Sequence, residues 1–168
     1  LSFAISAVDN IGSGSIEEAV LRKAHELHLK RYEKKKFIPA DSLRKRSTSV
    51  INIDGIDRAV SFGAPQVIQE LCVFTDLGIT QYEQEVAEAA RLGYRTLTVA
   101  INQHGESESN MEIVGILLLS DTIYPNSKYV IEFLKNNGID VKMLTGDSQG
   151  IGARVALELG LEGVVKRR

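Results

Sequence analysis

Apolar positions follow two different rhythms along this chain. From Ile113 to Leu119 the residues are apolar almost without a break, a run short enough for a buried strand, and Asp121 follows its end. Val130, Ile131, Phe133 and Leu134 then fall on roughly one side of a helix that Asn137-Gly138 would stop. Ile139 to Leu144 reads as a second strand, and a further helix leads through Ala156 to Leu161. A helical crossover makes two such strands parallel and right-handed, which predicts Asp121 and Thr145-Gly146-Asp147 at the same edge of one sheet.

The first 110 residues have shorter strands and read as a unit of their own. Leu1 to Val8 is a weakly amphipathic helix or helix end, and Asp9 to Gly14 a polar loop. Ser15 with Glu18 has capping-box spacing, and Ile16, Ala19, Val20 and Leu27 give the next helix one apolar side. Strands are predicted near Lys36 to Ile38, Ser47 to Ile53 and Arg58 to Phe62, with Asp54-Gly55 turning between the last two. Helices over Ala64 to Cys72 and Gln81 to Leu92 precede a strand from Arg95 to Ile101, and Gln103 to Asn110 is a polar loop. The result is an α+β unit, an antiparallel sheet flanked by helices, over residues 1–110, followed by an α/β unit over 111–168.

Composition narrows the function classes. A hydrophobic content of 43% over 168 residues supports a core, while no stretch approaches the roughly eighteen apolar residues of a membrane span. The piece is therefore expected to be soluble. Cys72 alone cannot form an internal disulfide and reads as a small core residue. A net charge of -2 gives no general attraction to nucleic acid, although Arg22 to Arg46 holds ten of the twenty basic residues. Such a run is a solvated face or the lining of an anion site; only Tyr32 and Phe37 could stack bases there, so nucleic acid ranks last among the ligands. His25, His28 and His104 share no metal-ligand spacing and read as surface residues.

Thr145-Gly146-Asp147 and Asp121 suit a phosphate with Mg2+: a hydroxyl and exposed backbone N–H groups donate to phosphoryl oxygens, and carboxylates serve a hard cation directly or through its waters. Lys142-Met143-Leu144-Thr145-Gly146-Asp147, with Asp121 upstream, closely resembles the phosphorylation domain of P-type cation ATPases. The first 110 residues resemble the nucleotide-binding domain of the same family. Glu17-Glu18-Ala19-Val20 is similar to the acidic helix start near the adenine amino group, and Phe37-Ile38-Pro39 through Lys45-Arg46-Ser47 to a segment of the proton-pumping members. Gly63-Ala64-Pro65 matches the end of the family's Lys-Gly-Ala-Pro signature, and Gly93-Tyr94-Arg95-Thr96-Leu97 resembles the strand whose arginine reaches nucleotide phosphates.

The resemblance implies a nucleotide-binding domain joined to a partial, haloacid dehalogenase-like phosphorylation domain. It implies ATP and Mg2+ as cofactors, Glu17, Lys45, Arg46, Phe62, Gly63 and Arg95 around the nucleotide, and Thr145, Asp147 and Asp121 around the phosphorylation site. Its partners would be an adenine nucleotide and the membrane and actuator parts of a parent pump in the plasma membrane, with this piece on the cytoplasmic side.

Three departures qualify that picture. The adenine-stacking aromatic of the family falls on Ala40, and the signature lysine on Phe62, which reads either as a replacement ring or as an inward strand residue. None of the eight aspartates is followed by Lys-Thr-Gly, so the nucleophile of the family's Asp-Lys-Thr-Gly-Thr is absent and the chain reads as an excised fragment, inactive alone. Two alternatives stay open: a non-enzymatic nucleotide-binding module, and a haloacid dehalogenase-class phosphatase, for which Asp54 and Asp57 do not supply the required nucleophile pair.

Overall fold

The computed structural model describes residues 1–9, 15–121, 123–146 and 149–161. The predicted polar loop ending at Gly14 lies mostly outside the described residues. Helices α1 (Ser2–Ser6) and α2 (Ser15–Glu26) lead into strands β1 (Lys34–Ile38), β2 (Arg46–Ile53) and β3 (Ile56–Gly63), then α3 (Pro65–Gln69) and α4 (Asp76–Arg91). Strands β4 (Arg95–Ile101) and β5 (Glu112–Leu119) and helices α5 (Ser127–Asn136) and α6 (Gln149–Glu158) follow.

All five strands form one sheet in the order β1-β2-β3-β4-β5, and the first three pairings are antiparallel. At its centre β2 and β3 run from Arg46 opposite Gly63 to Ile53 opposite Ile56. Asp54 and Gly55 close this hairpin with φ of 52° and 81°, the two left-handed residues of a type I′ turn, whose twist matches the strands it joins. Gly55 N–H donates to Asn52 Oδ1 at 3.1 Å, which fixes the turn further.

Two compact units emerge: Leu1–Tyr82 with Thr96–Leu117, and Glu83–Arg95 with Leu118–Arg168. A single cut at residue 110 differs from this division because β5 is bonded into the sheet and because the C-terminal half of α4 groups with the second unit.

In the first unit one sheet face, carrying Ile51, Val60, Phe62, Val99 and Ile101, packs with Ala4, Ile5 and Val8 of the N-terminal segment and Val20 and Ala24 of α2. Each Val, Ile or Phe side chain among these contributes about 1.5–3 kcal/mol through removal from water. The apolar side of α2 is thus Val20 and Ala24, whereas Leu27 is exposed because the helix stops one residue before it. The other face buries Ala59, Ile68, Ala100 and Met111. It is also unusually hydroxylic: Thr48 and Ser61 share a hydrogen bond of 2.9 Å, Tyr82 Oη and Thr98 Oγ1 another of 2.7 Å, and Tyr82 donates to the Pro65 carbonyl at 3.1 Å. Paired hydroxyls remove the desolvation cost that each would carry alone.

The second unit departs from the parallel arrangement read from the sequence. Residues 139–145 form no strand; Leu144 is 89% exposed, and no described segment offers them a backbone ladder. A strand exists only where a neighbour accepts from its N–H groups and donates to its C=O groups, so the apolar run Ile139 to Leu144 stays irregular. Asp121 and Thr145 are accordingly not joined through a common sheet edge. Helix α5 forms as predicted and ends at Gly138 (φ 75°), yet none of its residues is buried and Phe133 is 56% exposed. No helix among the described residues is long and apolar enough to cross a membrane.

Candidate functional site

Lys45, Arg46, Gly63 and Phe62 are brought together at one end of the β2–β3 hairpin, where Arg46 pairs with Gly63 and Ser47 with Phe62. The cause is a tight approach of backbones. A Cβ on Gly63 would lie 2.5 Å from the Lys45 carbonyl oxygen and 2.6 Å from Arg46 Cβ, so only glycine fits. Asp41 shapes the preceding turn: its Oδ1 accepts from the N–H groups of Leu43 and Arg44 at 2.8 and 2.6 Å. The Arg44 N–H is the main reason its carboxyl is held below the usual range. Lys45, at φ 52°, is left exposed at the start of β2.

Arg46 is not a free cation. Its Nε and Nη2 donate to Glu108 Oε2 at 3.0 and 2.5 Å, and Arg44 Nη2 donates to Glu108 Oε1 at 2.6 Å, with all three side chains between 20 and 22% exposed. Burial disfavours the Glu108 carboxylate, but hydrogen bonds from Arg46 and Thr48 and the charges of Arg46 and Arg44 outweigh it, and its carboxyl is held low. The loop that carries Glu108 is itself built on Asn102, whose Nδ2 donates to the carbonyls of Ser107 and Ser109 at 3.0 Å each. Glu108 and Arg44 were missed in the sequence. The available signal was an acidic residue in a polar loop of a chain whose positive charge is concentrated elsewhere.

Phe62 is an inward strand residue. It is 5% exposed within the apolar face shared with α1 and α2, because period-two alternation puts it on the same side as Val60. Its ring cannot replace the one missing at Ala40, and Ala40 itself is exposed. Glu17 is half-buried in the first turn of α2, where with Glu18 it also complements the helix dipole.

Arg95, Asp121 and Thr145 belong to the second unit. Arg95 and Asp121 are exposed and Thr145 is half-buried, while Asp147 lies outside the described residues. No cluster of three or more His, Cys, Asp or Glu side chains exists among the described residues. Mg2+ needs none: it keeps several waters and is typically bound by one or two carboxylates plus phosphate oxygens, a role that the open carboxylate of Asp121 fits. Arg95 opens β4 directly after Gly93 and Tyr94, and a guanidinium in that position can clamp phosphate oxygens bidentately. His25, His28 and His104 are all exposed.

A family profile of haloacid dehalogenase-like hydrolases matches residues 12–167, and the chain belongs to that family. It is 34% identical over 163 residues to a protein of Methanocaldococcus jannaschii named as a cation-transporting ATPase, covering 95% of this chain and 20% of that one. Against plasma membrane ATPase 2 of Saccharomyces cerevisiae it is 31% identical over 160 residues, 89% of this chain and 17% of the relative. A crystal structure of a zinc-transporting PIB-type ATPase in its E2.Pi state shares the fold with a TM-score of 0.70 at 20% identity, over 96% of this chain and 23% of that chain. The resemblance to P-type cation ATPases therefore extends over nearly the whole sequence, and this chain spans only 17 to 23% of the length of these proteins.

Proposed function

We propose that this chain is the ATP-handling part of a P-type cation-transporting ATPase, residues 1–110 corresponding to a nucleotide-binding domain and 111–168 to part of a phosphorylation domain. The observation that carries this reading is the 34% identity to a cation-transporting ATPase over 95% of the chain, spanning both segments rather than the Thr145 motif alone. In the first unit Glu17 would accept from the adenine amine, with Lys45 and the Gly63 turn beside it. In the second, Arg95 would take phosphate oxygens, Thr145 and Asp147 would position the phosphoryl group, and Asp121 would serve Mg2+.

Phosphoryl transfer needs a nucleophile in line with the leaving oxygen. This chain has no aspartate followed by Lys-Thr-Gly, so in the parent pump the aspartyl phosphate would form elsewhere and these residues would bind, orient and neutralise charge. The likeness of Phe37 to Ser47 to proton-pumping members favours the proton as cargo, and the parent protein belongs in the plasma membrane with this part on the cytoplasmic side. The exposed ring of Phe133 on α5 suits packing against the remainder of such a pump.

Without a stacking ring at residue 40 or 62, affinity should be low, at high-micromolar to millimolar dissociation constants or about -4 to -6 kcal/mol. Calorimetric titration with ATP and with inorganic triphosphate tests the reading. ATP binding in that range, with adenosine still competing, supports it. Equal binding of ATP and triphosphate with no competition by adenosine would leave only a polyanion surface and would remove the nucleotide-binding assignment.

A further inference from the structure

Within the second unit, α6 meets the turn between α4 and β4 at two glycines. A Cβ on Gly93, which sits at φ 79°, would lie 2.6 Å from the Gly150 carbonyl oxygen and 3.0 Å from Arg154 Cβ. A Cβ on Gly150 would lie 2.6 Å from the Ala90 carbonyl oxygen. Neither position can carry a side chain without displacing backbone. One helical turn beyond Gly150, Arg154 lays its guanidinium 4.5 Å from the centroid of the Tyr94 ring, and its Nε donates to Glu158 Oε1 at 2.9 Å. The turn is also tied to α4, since Gly93 N–H donates to the Ala90 carbonyl at 3.0 Å and Tyr94 N–H to the Ala89 carbonyl at 2.9 Å.

Tyr94 is therefore fixed twice, through its backbone by α4 and through its ring by Arg154. The next residue is Arg95, the first of β4. We infer that Arg154 is a positioning residue that acts through Tyr94 to hold Arg95 in the orientation in which it clamps phosphate oxygens. A rotamer-rich arginine that must be ordered on binding loses affinity to that ordering, and a scaffold ordered beforehand avoids part of the loss. The cation over the ring is itself held by Glu158, so the support around Tyr94 is in place without ligand. This inference rests on the phosphate role given to Arg95 under the proposed function.

The test compares the unaltered chain with Arg154→Ala, Arg154→Lys, Arg95→Ala and the double Arg154→Ala/Arg95→Ala variant, titrated with ATP and with adenosine. Arg154→Ala should weaken ATP about two- to ten-fold while leaving adenosine unchanged, Arg154→Lys should keep most of the affinity, and the double variant should bind ATP as Arg95→Ala does. Equal losses for ATP and adenosine, or additive losses in the double variant, would overturn the inference. A ligand-free reading separates it from the nucleotide assignment: if the unaltered chain binds no ATP, that assignment fails, and the Arg95 Nε–Hε order parameter still decides the positioning. It should fall in Arg154→Ala and stay high in Arg154→Lys; an unchanged value in Arg154→Ala would refute the link.

Discussion

Arg46 holds Glu108 across 62 positions of sequence through two donors on one carboxylate oxygen, at 3.0 and 2.5 Å. Arg44 occupies the other oxygen at 2.6 Å. Two of the chain's clustered cations are thus consumed in fastening the Glu108 loop to the start of β2, which leaves Lys45 between them as the exposed charge. Truncating Glu108 would deprive both guanidiniums of the carboxylate they share and leave the more distant charge of Asp41 as their nearby counter-ion. Glu108→Ala should lower unfolding free energy by about 1–3 kcal/mol, measured by urea denaturation, and an unchanged midpoint would mean that the ion pair contributes nothing to the fold.

The same carboxylate gives a pH dependence with a definite sign. Its pKa is held below the ordinary glutamate value in the folded state, so its contribution is fully present above the unfolded-state pKa of about 4.3 and is lost as pH falls through the lower folded value. Urea midpoints of the unaltered chain should therefore drop more steeply below pH 4.3 than those of Glu108→Gln, which has no proton to gain there. Parallel curves would contradict the assignment.

Phe62 tests the core rather than the ligand. At 5% exposure within the α1–α2 face, Phe62→Ala should cost about 3–5 kcal/mol of stability, read from thermal or urea melts. A variant with native stability but reduced nucleotide affinity would place the ring at a binding surface instead.

Most of the first unit was legible because its cues are local. The left-handed Asp54-Gly55 turn fixed a register, and with it the β2–β3 hairpin, and β4 begins at Arg95 and ends at Ile101 as its pattern indicates. What escaped were effects of partners distant in sequence. Alternation alone left Phe62 between two roles, since the helices that cover it arrive from residues 2–26. Ile139 to Leu144 has the composition of a strand but no described neighbour to pair with, and composition cannot supply one. In the candidate site, Gly63 and Arg95 stood out through the family resemblance, whereas Glu108, Tyr94 and Arg154 act only through contacts that pattern does not reveal.

The isolated chain should neither hydrolyse ATP nor accept its γ-phosphate. On the proposed reading Thr145 and Asp121 would orient phosphate and metal, but electrostatic stabilisation without an in-line carboxylate leaves only slow attack by water. Incubation with γ-labelled ATP and Mg2+ followed by an acid gel should show no label at this mass. A hydroxylamine-sensitive band would reveal an aspartyl phosphate that the sequence gives no reason to expect.

The nucleotide-binding assignment is tested most directly by backbone NMR during titration of ATP. The expected result is a saturable set of amide shifts around Glu17, Lys45 to Ser47 and Arg95, with a dissociation constant from about 0.1 mM to the millimolar range. Shifts confined to the neighbourhood of Thr145, with none at Glu17 or Arg95, would contradict the account.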